Sequence, residues 1–137
     1  FDVGIANFLA RRQPKPGTPE FGKSVEHFVL MELMAFRSYR AQDLEIRYWR
    51  TSTGQEVDFI LNDREAAIEV KSSTRVADIA LKSLTALADD GPVRRRIVVC
   101  MERQPREISD RHGRISILPV HGFLEKLWTG KIVSPAS

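Results

Sequence analysis

The chain has 137 residues, enough for one domain with its own core, and its 42% hydrophobic and 28% charged content is that of a globular protein. No apolar run approaches the roughly 20 residues that a membrane-spanning helix needs, no signal-peptide pattern opens the chain, and a single cysteine rules out an internal disulfide framework. Net charge is +3, the pI is near 9.3, and 15 Arg stand against 6 Lys, a balance compatible with phosphate binding that does not require it.

In chain order, residues 1–10 form a short apolar element, and Arg11 to Pro19, with three prolines and one glycine, is expected to be a loop. Val25, Phe28, Val29, Leu33 and Phe36 repeat at helical spacing and predict a helix over 23–36. Ile46 to Arg50 is expected as a strand, followed by a turn around Gly54. Ser72, Ser73 and Thr74 offer an N-cap for a helix over 76–88, with Val76, Ala80, Leu84 and Leu87 as its buried stripe and Gly91-Pro92 as its stop. Ile97 to Met101 is continuously apolar, as a parallel strand covered on both faces would be. The lone Cys100 falls in this run and is expected to be a buried, inert thiol, which suits a reducing cytosol and a cytoplasmic location. Ile115 to Leu118 predicts a further strand and Gly122 to Trp128 a short helix. The expected organisation is a lead-in and linker over 1–20, one α/β domain over 21–130 and a tail over 131–137. Because the chain opens on Phe1 rather than Met, it is expected to be a fragment of something longer.

Residues 56–71 carry the most information. They alternate as two strands about the polar cluster Asn62-Asp63-Arg64-Glu65. A turn centred between Asp63 and Arg64 pairs Val57 with Val70, Phe59 with Ile68 and Leu61 with Ala66 on one face. The other face then carries Glu56 opposite Lys71, an attractive pair, and Asp58 opposite Glu69, a repulsive one. Two readings of Asp58 and Glu69 stand side by side: a solvated face or a register shifted by one residue, or a site where a divalent cation offsets the repulsion.

Asp58-(x10)-Glu69-x-Lys71 resembles the core motif of the PD-(D/E)xK nuclease superfamily, and the element order helix, three strands, helix, strand is similar to the core order of that superfamily. The resemblance implies an α/β fold with a mixed, restriction-endonuclease-like sheet. A wider set of residues narrows the likeness: Phe1-Asp2-x-Gly4, Gly22-(x3)-Glu26-(x5)-Glu32-Leu33, Tyr48-Trp49-Arg50, Glu56-Val57-Asp58-Phe59, Glu69-Val70-Lys71-Ser72-Ser73 and Leu118-Pro119-(x3)-Phe123-Leu124. Together they resemble the C-terminal domain of unknown function attached to a large bacterial and archaeal family of AAA-type ATPases, over nearly the whole chain.

These resemblances imply a set of roles. Asp58 and Glu69 would be ligands of Mg²⁺ or Mn²⁺, Glu26 an outer ligand or water anchor, and the Val70 carbonyl a further donor. Lys71 would orient the attacking water and offset the developing negative charge. The implied activity is metal-assisted hydrolysis of phosphodiesters in DNA or structured nucleic acid. The implied partners are nucleic acid and an upstream ATPase module of the same polypeptide, where ATP would bind; no membrane partner is expected. The alternative is a catalytically silent nuclease-fold module that docks the ATPase onto nucleic acid or a protein.

Three weaker signals remain. Gly17-Thr18-Pro19-Glu20-Phe21-Gly22-Lys23-Ser24 matches the phosphate-loop pattern G-x-x-x-x-G-K-[ST], but Arg11 to Pro16 cannot be the buried strand such a loop requires. His27, His112 and His121 lack metal-ligand spacing. Arg94, Arg95 and Arg96 are expected in a solvated loop, while Arg37, Arg40, Arg47 and Arg50 are candidates for a nucleic-acid groove.

Overall fold

A computed structural model describes residues 3–134. Phe1, Asp2 and residues 135–137 lie outside the described residues, and with them the start of the Phe1-Asp2-x-Gly4 pattern and the end of the expected tail. Among the described residues the expected α/β class is present as one six-stranded mixed sheet and four α-helices. The helices are α1 (Val3–Arg12), α2 (Pro19–Arg40), α3 (Lys82–Asp90) and α4 (Val120–Trp128). The strands are β1 (Ile46–Arg50), β2 (Glu56–Leu61), β3 (Ala66–Val70), β4 (Arg96–Cys100), β5 (Arg106–Asp110) and β6 (Gly113–Pro119), and the spatial order is β1-β2-β3-β4-β6-β5. β1, β2 and β3 form an antiparallel meander. β4 runs parallel to β3 and to β6, and β5 closes the far edge antiparallel to β6.

Strand alternation divides the core between the two faces of the sheet. Ile97 and Val99 of β4, Ile68 of β3 and Phe59 of β2 pack with Val25, Val29, Leu33 and Phe36 of α2 and with Phe123 and Leu127 of α4. Ile5 and Phe8 of α1, and Ile132 and Val133 beyond α4, belong to this same cluster. Val98 and Cys100 of β4, Ala67 of β3 and Ile60 of β2 face the other way, against Val76, Leu81, Leu84 and Leu87. Every residue of β4 is buried, as its apolar run predicts.

Several elements differ from the sequence expectation, each for a local reason. α2 begins four residues early because Thr18 caps it, its hydroxyl accepting from the Phe21 N–H at 3.2 Å, with Pro19 in the first turn where a missing N–H costs nothing. It also runs on to Arg40. The segment before α3 is not a helix capped by Ser72 to Thr74. Val76 is held there by the Glu102 carboxylate, which accepts its N–H at 2.8 Å, and a 3₁₀ turn over Asp78–Leu81 then leads into α3, so Leu81 is buried and Ala80 only half-buried. β5 was not expected at all, since it offers Ile108 as its one apolar residue.

The register of the β2–β3 hairpin is the expected one, with Phe59 opposite Ile68, Ile60 opposite Ala67 and Leu61 opposite Ala66. Regular pairing stops there. Arg47 pairs with Ile60 and Trp49 with Val57, so one residue of β1, Tyr48, faces two of β2, Asp58 and Phe59. This β-bulge breaks the alternation of β2. Val57 therefore leaves the ladder of Phe59 and Leu61 and packs on the α3 face with Ile60 and Ala67.

Candidate functional site

The bulge reorients the acidic end of the hairpin. In an antiparallel ladder the hydrogen-bonded pairs recur every second residue, so after Phe59–Ile68 the N–H of Val70 would be due a partner from Val57. With the ladder interrupted, that N–H donates to Asp58 Oδ2 at 2.7 Å. Asp58 is thereby fixed beside Glu69, and the two carboxyl groups lie within hydrogen-bonding reach of one another. Glu69 is only 5% exposed. Burial first, then the hydrogen bond and charge of Asp58, push its pKa from 4.5 up to about 9. Held as the neutral acid at neutral pH, Glu69 brings no second negative charge against Asp58.

Four of the walls around this pair come from separate parts of the fold. α2 contributes Lys23 and Glu26, the β1–β2 turn and β2 contribute Gly54, Glu56 and Asp58, the end of β3 contributes Glu69, Val70 and Lys71, and α3 contributes Ser83. The cleft has a volume of about 460 Å³ and opens to solvent. Glu26, Asp58, Glu69 and Lys71 thus all line one cleft. Glu26 is exposed at its rim, and partial burial, followed by the charges of Asp58 and Glu56, raises its pKa, while Lys23 and Lys71 pull it down. Glu56 does not pair with Lys71, as the regular register implies. It forms an ion pair with Arg50 across the β1–β2 ladder at 2.9 Å, the strand partner that the bulge leaves opposite it.

As a cation site this donor set is sparse. Among the described residues no group of three His, Cys, Asp or Glu side chains is placed to hold a metal ion by itself. Asp58 and Glu69 supply two hard oxygen donors side by side, which suits a cation that keeps most of its shell as water, as Mg²⁺ does.

The phosphate-loop pattern does not form a phosphate loop. Pro19 to Ser24 are the opening turns of α2, and a helix, α1, precedes them instead of a strand. His27 packs edge-on to Phe8, with ring centroids 5.9 Å apart, and His112 is tied to Asp89. Arg96 is not in a loop: it opens β4, is 4% exposed, and makes two bonds of 2.6 Å to Asp110. Of the arginines considered for a groove, Arg47 pairs with Glu45, Arg50 with Glu56, and Arg40 with the Trp128 carbonyl.

A second cavity of about 500 Å³ lies at the C-terminal ends of β4 and β6, between Cys100, Met101, Pro119 and Val120, with Ile5 beneath. Glu102 on its wall is committed to Arg106 and the Val76 N–H. Burial raises the Cys100 thiol above its ordinary range, and Glu102 is held at a pKa of about 2, chiefly by the Arg106 guanidinium. The carboxylate cleft is the better candidate.

A family model for a domain of unknown function, DUF4143, matches residues 21–123, a span that contains every residue of the carboxylate pair and its walls except Pro19. The chain belongs to the DUF4143 family. No curated protein and no solved structure matches it. No helix of this DUF4143 domain, among the described residues, is long and apolar enough to cross a membrane.

Proposed function

We propose that this DUF4143 domain is a divalent-metal-dependent, nuclease-like module with a restriction-endonuclease-like core, acting on phosphodiesters of DNA or structured nucleic acid as the C-terminal part of a larger AAA-type ATPase. The observation that carries this reading is the Asp58–Glu69 pair: two carboxyl groups are held together, one of them buried, in a cleft that substrate can enter. The meander, the α3 connection and the parallel β4 support the core assignment.

Charge supports the requirement for a cation. Four carboxyl groups, Glu26, Glu56, Asp58 and Glu69, line the cleft against two lysines, a balance that disfavours a phosphate until a cation is held there. Asp58 and Glu69 would hold Mg²⁺ or Mn²⁺, with Glu26 reaching it through a water. When bound, such an ion polarises the phosphate and lowers the pKa of a coordinated water. Lys71, half-buried two residues beyond Glu69, would orient the attacking water and offset negative charge growing on the phosphate. Asp58 and Val70 keep the two carboxyl groups aligned through their hydrogen bond.

Calorimetric titration of the protein with Mn²⁺, beside Asp58→Asn, tests the site before any substrate is known. Saturable binding lost in the variant is expected, followed by Mg²⁺-dependent cleavage that disappears in Glu69→Ala and Lys71→Ala. Absence of binding in both proteins overturns the reading. The sparse donor set favours one alternative, a silent module that docks the ATPase onto nucleic acid or a protein. It requires partner binding that survives the loss of Asp58, Glu69 and Lys71.

A further inference from the structure

We propose that Lys23 grips a backbone phosphate of a nucleic-acid strand lying across the carboxylate cleft, at a position next to the phosphate that meets Asp58 and Glu69. The inference rests on the nuclease-like reading and specifies how its substrate is held.

The Gly22-Lys23-Ser24 segment is the part of the sequence that the proposed chemistry leaves unused. Folded as α2, it turns toward the cleft: Gly22 and Lys23 both line it. A Cβ built on Gly22 would stand 3.6 Å from Ser72 Oγ, which puts this turn of α2 directly against the Lys71-Ser72 end of β3. The two cations of the cleft therefore stand on adjoining walls, Lys71 on the sheet and Lys23 on the helix. Glu26, one helical turn from Lys23, feels both positive charges.

The lysines are also available. Among the described residues the ion pairs within 4.0 Å engage nine basic side chains, all Arg or His, and neither Lys23 nor Lys71 is one of them. The cleft thus sets two ammonium groups outside these ion pairs beside four carboxyl groups. Lys71 adjoins the carboxylate pair and serves the reacting phosphate. Lys23, on the helix wall, serves a neighbouring one. A lysine suits this task because a flexible point charge tolerates backbone phosphates of varied orientation and reads no base. It follows that the substrate carries more than one phosphodiester, an oligonucleotide rather than a free nucleotide.

The test is fluorescence anisotropy of a labelled oligonucleotide, single-stranded and duplex, with the full chain in Ca²⁺, repeated over a salt series. Lys23→Ala is expected to bind about fivefold to tenfold more weakly, and to lower the magnitude of the slope of log K against log salt by about 0.7 to 0.9, the contribution of one phosphate contact. Lys23→Arg should restore that slope. Lys23 is exposed, and an unchanged melting temperature in both variants separates this from a folding defect. If the parent binds and Lys23→Ala keeps the full slope, the Lys23 assignment falls and the nuclease-like reading stands. If the parent binds neither oligonucleotide, both fall. If Mg-ATP displaces the oligonucleotide and itself requires Lys23, the phosphate belongs to a nucleotide and the proposal is overturned.

Discussion

The N–H of Val70 on β3 donates to Asp58 Oδ2 at 2.7 Å, so a side chain of β2 takes the place of a ladder carbonyl of the same strand. The carboxylate that would hold a cation is thus also a structural acceptor in the sheet. These two duties separate by substitution. Asp58→Asn retains an amide oxygen that can accept from Val70, so it should fold with stability within about 0.5 kcal/mol of the parent while losing Mn²⁺ affinity. Asp58→Ala leaves the half-buried N–H without its acceptor and should cost about 1 to 3 kcal/mol. Urea unfolding of the two variants decides; equal losses in both would mean that the hydrogen bond contributes nothing.

Glu69 makes stability depend on pH in a definite sense. Its folded-state pKa, raised from 4.5 to about 9, means that the folded protein holds this proton more tightly than the unfolded chain. Its contribution is therefore fully present below pH 4.5 and is lost as pH rises through the window up to about 9. Asp110 and Glu102, whose pKa values are lowered by Arg96 and Arg106, act oppositely and lose their contribution as pH falls. Glu69→Gln isolates the first effect. The variant should gain on the parent between about pH 5.5 and pH 8.5, ending at least about 4 °C higher in Tm, and Mn²⁺ should narrow that gap at the higher pH by stabilising only the parent. A constant difference between the two proteins across that range would refute the raised pKa of Glu69.

The hairpin register was legible because Phe59, Leu61, Ala66 and Ile68 alternate strictly about a polar turn, and a slip by one residue would break the pairing of Phe59 with Ile68 and of Leu61 with Ala66. The bulge was not, because helices cover both faces of the sheet: Val57 is apolar and is buried equally well on either side. That ambiguity also hid the true partner of Glu56, since Arg50 meets it only once β1 and β2 are offset. β5 escaped for the opposite reason, having little apolar surface to announce it and sitting at the sheet edge. The start of α2 was present in the sequence as Thr18-Pro19, an N-cap followed by a first-turn proline, but three prolines within 11–19 favoured a loop. Ser72 to Thr74 gave the converse error, a cap signal with no helix behind it, because Val76 is claimed by Glu102 across the chain. The convergence of Glu26 on Asp58 was expected through a family resemblance alone. Periodicity could show that Glu26 lies off the buried stripe of α2, but not what it faces.

Arg96, buried, and Asp110, half-buried, form an ion pair on the α3 face. The guanidinium is 3% exposed and binds both carboxylate oxygens at 2.6 Å, and Thr85 donates to the same carboxylate at 2.6 Å. Without Asp110 the buried guanidinium would lose its counter-charge, whereas Asp110 without Arg96 keeps the Thr85 hydroxyl and the His112 N–H. Asp110→Leu should cost about 3 to 5 kcal/mol, and Arg96→Met less, about 1 to 3 kcal/mol. The double variant should lose less than the sum by about 2 kcal/mol, because both charges leave together. A double-mutant cycle by urea unfolding measures this coupling directly, and strictly additive losses would show that the pair is not coupled.

Arg64 joins the hairpin turn to the end of α3. Its guanidinium donates to the carbonyls of Leu87 and Gly91 at 3.0 and 3.1 Å and pairs with Asp90 at 2.6 Å, closing a helix terminus whose last carbonyls have no partner within the helix. The backbone of Arg64 is left-handed, with φ +57°, so the side chain is held at a conformational cost that glycine would not bear. Arg64→Ala should lose about 1.5 to 3 kcal/mol with the charge-assisted bonds. Arg64→Gly loses the same bonds but relieves the backbone, and should be more stable than Arg64→Ala by about 0.5 to 1 kcal/mol. Lysine cannot span two carbonyls and a carboxylate with one ammonium group, so Arg64→Lys should recover less than half of the loss. Mn²⁺ affinity should stay unchanged in all three, since Arg64 sits at the turn and the carboxylates lie at the opposite end of the same hairpin. An Arg64→Ala variant as stable as the parent, or one with weakened Mn²⁺ binding, would show that the two ends of the hairpin do not divide the work in this way.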